Sequence, residues 1–173
     1  MERNRNIVLI GMPGVGKSTV GVVLAKRLGY SFLDTDIYLQ TREKKSLQEI
    51  IRTIGSSRFC DLEERHVLSI SVQAHVIATG GSVVYRQKAM GHLRGDGTII
   101  HLNLGLGDLK KRLDNIDARG VVIAPGLRLD DLYAERHPLY LRYADATIET
   151  KGCTPDEVVG KIVVLFSPQL NSS

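Results

Sequence analysis

Gly11-Met12-Pro13-Gly14-Val15-Gly16-Lys17-Ser18-Thr19 is the stretch on which the reading of the fold turns. It fits G-x-x-x-x-G-K-[ST] and stands between an apolar run, Asn6–Ile10, that reads as a buried strand, and a helix from about Lys17 to Leu28 stopped by Gly29. Glycines let such a loop turn tightly enough for several backbone N–H groups to converge on phosphate oxygens. The helix that follows aims its partial positive end at the same point. Gly14, Val15, Gly16, Lys17, Ser18 and Thr19 are therefore expected to bind a nucleotide. Lys17 brings charge to the β- and γ-phosphates, and the Ser18 hydroxyl meets Mg²⁺. A chance glycine turn would not require the strand on one side and the helix on the other.

Outward from the loop, short apolar runs alternate with longer amphipathic ones, the pattern of a parallel α/β sheet. Strands are expected at residues 31–34, 76–78, 98–102 and 146–149. Ser46 with Glu49 three residues on is a capping box for a short helix to about Ile54, and a second helix is expected over 57–71. Further helices are expected at 87–93, 106–113 and 129–143. Thr154, Pro155 and Glu157 mark the start of a last helix reaching about Phe166, with a frayed tail at 167–173. Residues 114–127 are aperiodic and carry glycine, as a closing lid does.

With 173 residues and 43% hydrophobic content, the chain suffices for one domain with a proper core. No apolar run approaches the roughly 18 residues that cross a bilayer, and the N-terminus lacks a signal-peptide pattern. The expectation is a cytoplasmic, monomeric protein with no membrane partner. Two cysteines and five scattered histidines make neither a disulfide framework nor a zinc pattern. A net charge of +4 suits an anionic ligand. Basic residues are dispersed and tryptophan is absent, so no nucleic-acid partner is expected.

Asp34-Thr35-Asp36 follows the second expected strand. Residues two apart in an extended segment face the same side, so both carboxylates are expected to look into the site at the strand's C-terminal edge, where open α/β sheets bind ligands. One carboxylate would help hold hydrated Mg²⁺ and the other would accept a proton or hydrogen bond from a substrate hydroxyl; the alternative is an aspartate-rich turn. A delivered arginine can stabilise the charge of a transferring phosphoryl group. Arg119 lies in the lid segment, Arg112 just before it, and Arg136 shares a helix face with Tyr140.

Together these segments resemble shikimate kinase, a family of small P-loop kinases, over nearly the whole chain from about Asn6 to Phe166. The resemblance rests on Gly11–Thr19, Asp34-Thr35-Asp36, the Phe59 to Glu63 region, Thr79-Gly80-Gly81, Arg112 with Arg119, and Glu135-Arg136-His137-Pro138-Leu139-Tyr140. It implies a three-layer α/β/α P-loop fold like that of nucleoside-monophosphate kinases, with a five-stranded parallel sheet ordered 2-3-1-4-5. It also implies an acceptor-binding region at about 35–62 and a lid. By position, Asp34 would support Mg²⁺ with Ser18, and Asp36 would grip the acceptor hydroxyls and act as base. Gly80 and Gly81 would approach the acceptor by backbone, with Ser82 beside them. Arg119 would be the lid arginine, Arg112 would lie by the adenine, and Arg136 would bind the acceptor carboxylate.

Three positions depart from the family pattern. Cys60 stands where an arginine normally helps hold the shikimate carboxylate. Arg58 and Arg65 on the same helix lie about 160° and 140° around from it, so a replacement would have to swing in from elsewhere. Ser82 replaces a third glycine, and Gly120 follows the lid arginine in place of proline. The expected activity is transfer of the γ-phosphoryl of ATP to a small hydroxylated metabolite, shikimate first. A different polyol or hydroxy acid is the alternative acceptor. A catalytically degenerate nucleotide-binding regulator is the second alternative, disfavoured because a pure binder needs no acceptor-side acid. A nucleoside-monophosphate kinase is disfavoured by the lack of an Asp-Gly-Phe-Pro-Arg-like segment.

Overall fold

Asn6–Ile10 (β1) is buried at every residue and forms the middle of a five-stranded parallel sheet. A strand covered on both faces needs no alternation, which is why it reads as an unbroken apolar run. The computed structural model describes residues 5–115 and 128–170, with backbone alone at 114, 115 and 167–170. β1 pairs with β3 (His75–Ala78) on one side, Val8 against Ile77, and with β4 (Gly97–Asn103) on the other, Val8 against Ile99. β2 (Ser31–Asp34) adds to β3 and β5 (Ala146–Glu149) to β4, both as edges with few buried residues. The order β2-β3-β1-β4-β5 is the one the resemblance implied.

Helices α1 (Lys17–Leu28), α2 (Thr35–Glu43), α3 (Leu47–Leu68), α4 (Gln87–Asp96), α5 (Leu106–Asn115), α6 (Leu129–Tyr143) and α7 (Pro155–Leu170) cover the sheet, with a 3-10 turn at Val83–Tyr85. The capping box is formed: Ser46 Oγ accepts from Glu49 N, and Glu49 Oε2 accepts from Ser46 N at 2.8 Å. α3 is interrupted at Gly55 (φ 79°, ψ 163°), so its two halves are the two expected helices. It ends at Leu68, short of the expected 71, whereas α4 and α7 run past their expected ends to Asp96 and Leu170. α2 is a correction. The sequence reading has Asp34-Thr35-Asp36 as extended chain, but Asp34 is the N-cap of a helix that begins at Thr35. Of the expected lid, residues 116–127, Arg119 and Gly120 among them, lie outside the described residues.

Two apolar cores result. The main one joins the central strands to the helices around them, with Leu9, Ile10, Leu24, Ile99, Ile100 and Leu102 all at 0% exposure. A second, smaller one holds, among the described residues, Leu39, Leu47, Ile50, Phe59 and Leu62, with Ile51 and Ile54 against them, and welds α2 to α3. It lies in the stretch expected to bind the acceptor.

Candidate active site

The loop after β1 is built for close approach. Gly11 has φ 147° and a side chain there would come 2.6 Å from the Leu102 carbonyl, while Gly16, the N-cap of α1, sits at φ 106°. Only glycine occupies such conformations without strain. α1 starts with no side-chain cap and no acidic residue in its first turn, so its first N–H groups and its positive end are left for an anion. Val15 is buried in the core and offers the site only its backbone. Lys17 is buried too, its Nζ donating to the carbonyls of Gly11 at 2.8 Å and Met12 at 3.0 Å. Burial pulls its pKa down to about 8, opposed by Asp36 and Asp34. Phosphates arriving at the loop would restore its full charge.

Asp34 works with both oxygens. Oδ1 accepts from the N–H groups of Asp36 at 3.0 Å and Ile37 at 3.3 Å, starting α2, and Oδ2 accepts from Ser18 Oγ at 2.6 Å. Ser18 and Asp34 thus present hard oxygens side by side. Among the described residues no three His, Cys, Asp or Glu side chains gather into a metal cage. Two protein oxygens beside a phosphate site are the arrangement that suits Mg²⁺, which keeps several waters and phosphate ligands.

Asp36 reaches the site from the first turn of α2, not by strand alternation. Burial, then the charge of Asp34, push its carboxyl up to about 6, with Lys17 pulling it down. The room in front of it is kept by Gly80, where a side chain would press on Glu63 and come 2.7 Å from Asp36 Oδ1. Gly80 therefore supplies space; its N–H is already donated to Thr35 Oγ1 at 3.1 Å. A side chain at Gly81 would meet Arg136 Nη1 at 2.9 Å and Pro13 Cδ at 3.0 Å. Arg136, on α6, donates Nε–H to Tyr85 Oη at 3.0 Å and lies 5.1 Å from that ring's centre. One helical turn on, the fully buried Tyr140 donates its hydroxyl to the Gly81 carbonyl at 2.7 Å and stacks on His101. The shared face of Arg136 and Tyr140 expected from spacing is therefore the face that meets the glycines.

One cleft of about 730 Å³ is lined by Lys17, Ser18 and Thr19 at one end and by Asp36, Gly80, Gly81, Ser82 and Arg136 at the other. Arg112 lines it as well, donating Nη1–H to the Val15 carbonyl at 3.0 Å, which sets its guanidinium over the loop. Glu63 is the site residue that the sequence reading left without a role. It is 2% exposed, Oε2 accepts from Ser82 Oγ at 2.6 Å, and Oε1 has no hydrogen-bond partner among the described residues. Burial pushes its carboxyl up to about 7 in spite of the Ser82 bond. Its signal was present: Glu63 lies four residues after Phe59, hence on the buried face of α3. Cys60 is half-buried near Glu63, Arg86 and Arg136, with burial and then Glu63 raising its thiol pKa and the two arginines lowering it.

The sequence profile of the shikimate kinase family matches residues 13–166. The shikimate kinase of Thermodesulfovibrio yellowstonii is 40% identical over 162 residues, covering 92% of this chain and 93% of that protein. That of Persephonella marina is 34% identical, covering 92% and 97%. Among solved structures, the shikimate kinase from Acinetobacter baumannii in complex with shikimate superposes with a TM-score of 0.84 at 29% identity, covering 95% of this chain and 94% of the other. The Aquifex aeolicus shikimate kinase superposes with a TM-score of 0.78 at 27% identity, covering 97% and 99%.

Proposed function

The chain belongs to the shikimate kinase family, and from that premise we propose that it moves the γ-phosphoryl of ATP to a hydroxyl of shikimate. The observation that carries the reading is the opposition, across one cleft, of a phosphate loop with its lysine and a buried carboxylate raised to about 6. In-line transfer needs those two ends and little covalent chemistry from the protein. Asp36 takes the proton from the acceptor hydroxyl as that oxygen bonds to the γ-phosphorus. The bond from phosphorus to the β,γ-bridging oxygen breaks, and ADP leaves. A carboxylate near pKa 6 is still ionised at neutral pH, yet is a stronger base than an exposed one.

Gly14, Val15, Gly16, Ser18 and Thr19 orient the phosphates by backbone and hydroxyl, and Lys17 neutralises charge that grows during transfer. Ser18 and Asp34 would hold Mg²⁺, which would supply positive charge to offset that of the phosphates. Arg112 would lie against the nucleotide, and Arg119 would come from the lid to the transferring group. Gly80, Gly81 and Ser82 shape the acceptor end, and Arg136 binds its carboxylate.

A second reading keeps the chemistry and changes the acceptor, and Cys60 favours it because that position brings no charge to the pocket. ADP release from Mg·ATP, measured across shikimate and a panel of other hydroxylated acids and polyols, separates the two. Shikimate should give the highest kcat/KM; a polyol without a carboxylate in first place would overturn the primary reading.

A further inference from the structure

Two buried carboxyl groups stand at the acceptor end near the guanidinium of Arg136: Asp36, which lines the cleft, and Glu63, held against Gly80 and Ser82. When ionised, those two carboxylates outweigh the one guanidinium, so an acidic acceptor entering there needs a second cation. Arg86 also lines the cleft. It stands where the 3-10 turn passes into α4, directly after the Tyr85 that seats Arg136, so a single turn brings both guanidiniums to one wall. Cys60 lies within the electrostatic reach of both arginines.

The partners of Arg86 are weak ones. Nη2 donates to Asp61 Oδ1 at 2.7 Å and to the Ser57 carbonyl at 3.4 Å, and the Asp61 side chain is 61% exposed. Exposed ion pairs of that kind contribute little. Nε is buried without a hydrogen-bond partner among the described residues. The side-on fork of the guanidinium, Nε with Nη2, is thus half unused and half spent on a carboxylate facing water. A planar carboxylate within the cleft fits that fork bidentately and is less screened there.

We propose that Arg86 is a second ligand of the acceptor's carboxylate, exchanging Asp61 for the substrate and acting with Arg136 across Cys60. The proposal rests on the reading of the acceptor as an acid such as shikimate. It makes position 86 a specificity-determining position, with the charge delivered from the 3-10 turn instead of from α3.

Calorimetric titration of the full chain, in the presence of Mg·ADP, with shikimate and with its methyl ester tests this. Arg86→Gln should weaken shikimate about 10- to 100-fold, the loss of a charge-assisted bond, and the uncharged ester by no more than about threefold. Arg86→Lys, which keeps the charge and loses the fork, should fall between, and it is the variant to read should Arg86→Gln fail to melt cooperatively. Equal losses for acid and ester would make Arg86 a structural residue, and an unchanged shikimate affinity would also overturn the proposal. No shikimate binding by the unaltered chain would overturn the shikimate reading itself, a result distinct from either.

Discussion

The two ends of the cleft are held in different ways. The phosphate end is backbone set on the main core: a loop between the central strand and α1, whose conformation is dictated by three glycines of positive φ, Gly11, Gly14 and Gly16. The acceptor end is side chains drawn from α2, α3, the 3-10 turn and α6, standing on a core of five buried residues. A phosphate offers the same oxygens whatever it is attached to, so rigid N–H groups serve it. An acceptor must be told from its analogues, and that takes side chains whose identity can change while the scaffold stays. The departures from the family pattern at Cys60 and Ser82 both fall at that end.

The largest effects should separate the ends kinetically. Asp36→Asn should lower kcat by about 10²–10⁴-fold while the affinity for ATP changes little, and an unchanged kcat would remove Asp36 as the base. Lys17→Ala should lower kcat by about 10²–10³-fold, as loss of a charge-stabilising donor does. Steady-state ADP release and nucleotide titration read both.

Next in size is the difference between the cores. Ile50 is 4% exposed in the small core, and Ile50→Ala should cost about 2–5 kcal/mol in urea unfolding. If the small core serves only the acceptor end, the surviving folded protein should show a raised acceptor KM and an unaltered ATP affinity. A matching loss of ATP affinity would mean that the ends are not separately supported.

A further effect is a pH dependence with opposite signs for activity and stability. Folding raises the carboxyl pKa of Asp36 to about 6 and of Glu63 to about 7. Where the folded state holds protons that the unfolded state has released, stability falls as pH rises. The melting temperature should therefore decline as pH climbs through about 4 to 7, while kcat rises through about 6 as Asp36 ionises. Glu63→Gln should flatten the upper part of the stability slope, and an unchanged slope would refute the assignment.

The same contrast explains what could be read in the sequence. The loop from Gly11 to Thr19 is a matter of local backbone geometry, so its spacing sufficed to place it between β1 and α1, and the Ser46–Glu49 box and the Thr154–Glu157 cap are formed as expected. α2 escaped because its apolar pattern is poor: Ile37 is 60% exposed, and Thr35 and Leu39 alone are buried. Its sign was Asp34 as an N-cap, overlooked because alternation along an extended chain also faced both carboxylates inward. Arg86 had no local sign, since nothing within its own helix says that it meets Asp61, 25 residues away. Long-range neighbours of that kind make up the acceptor end.

Asp34 spans this division with a single carboxylate, one oxygen starting the helix that carries Asp36 and the other bonded to Ser18. A ligand that claims the Ser18 hydroxyl would act on the group that caps α2. On the reading of Asp36 as the base, a ligand at the Ser18 end should therefore alter its aim at the acceptor end. Such a molecule should show synergy, each substrate binding more tightly once the other is in place, without any hinge between domains.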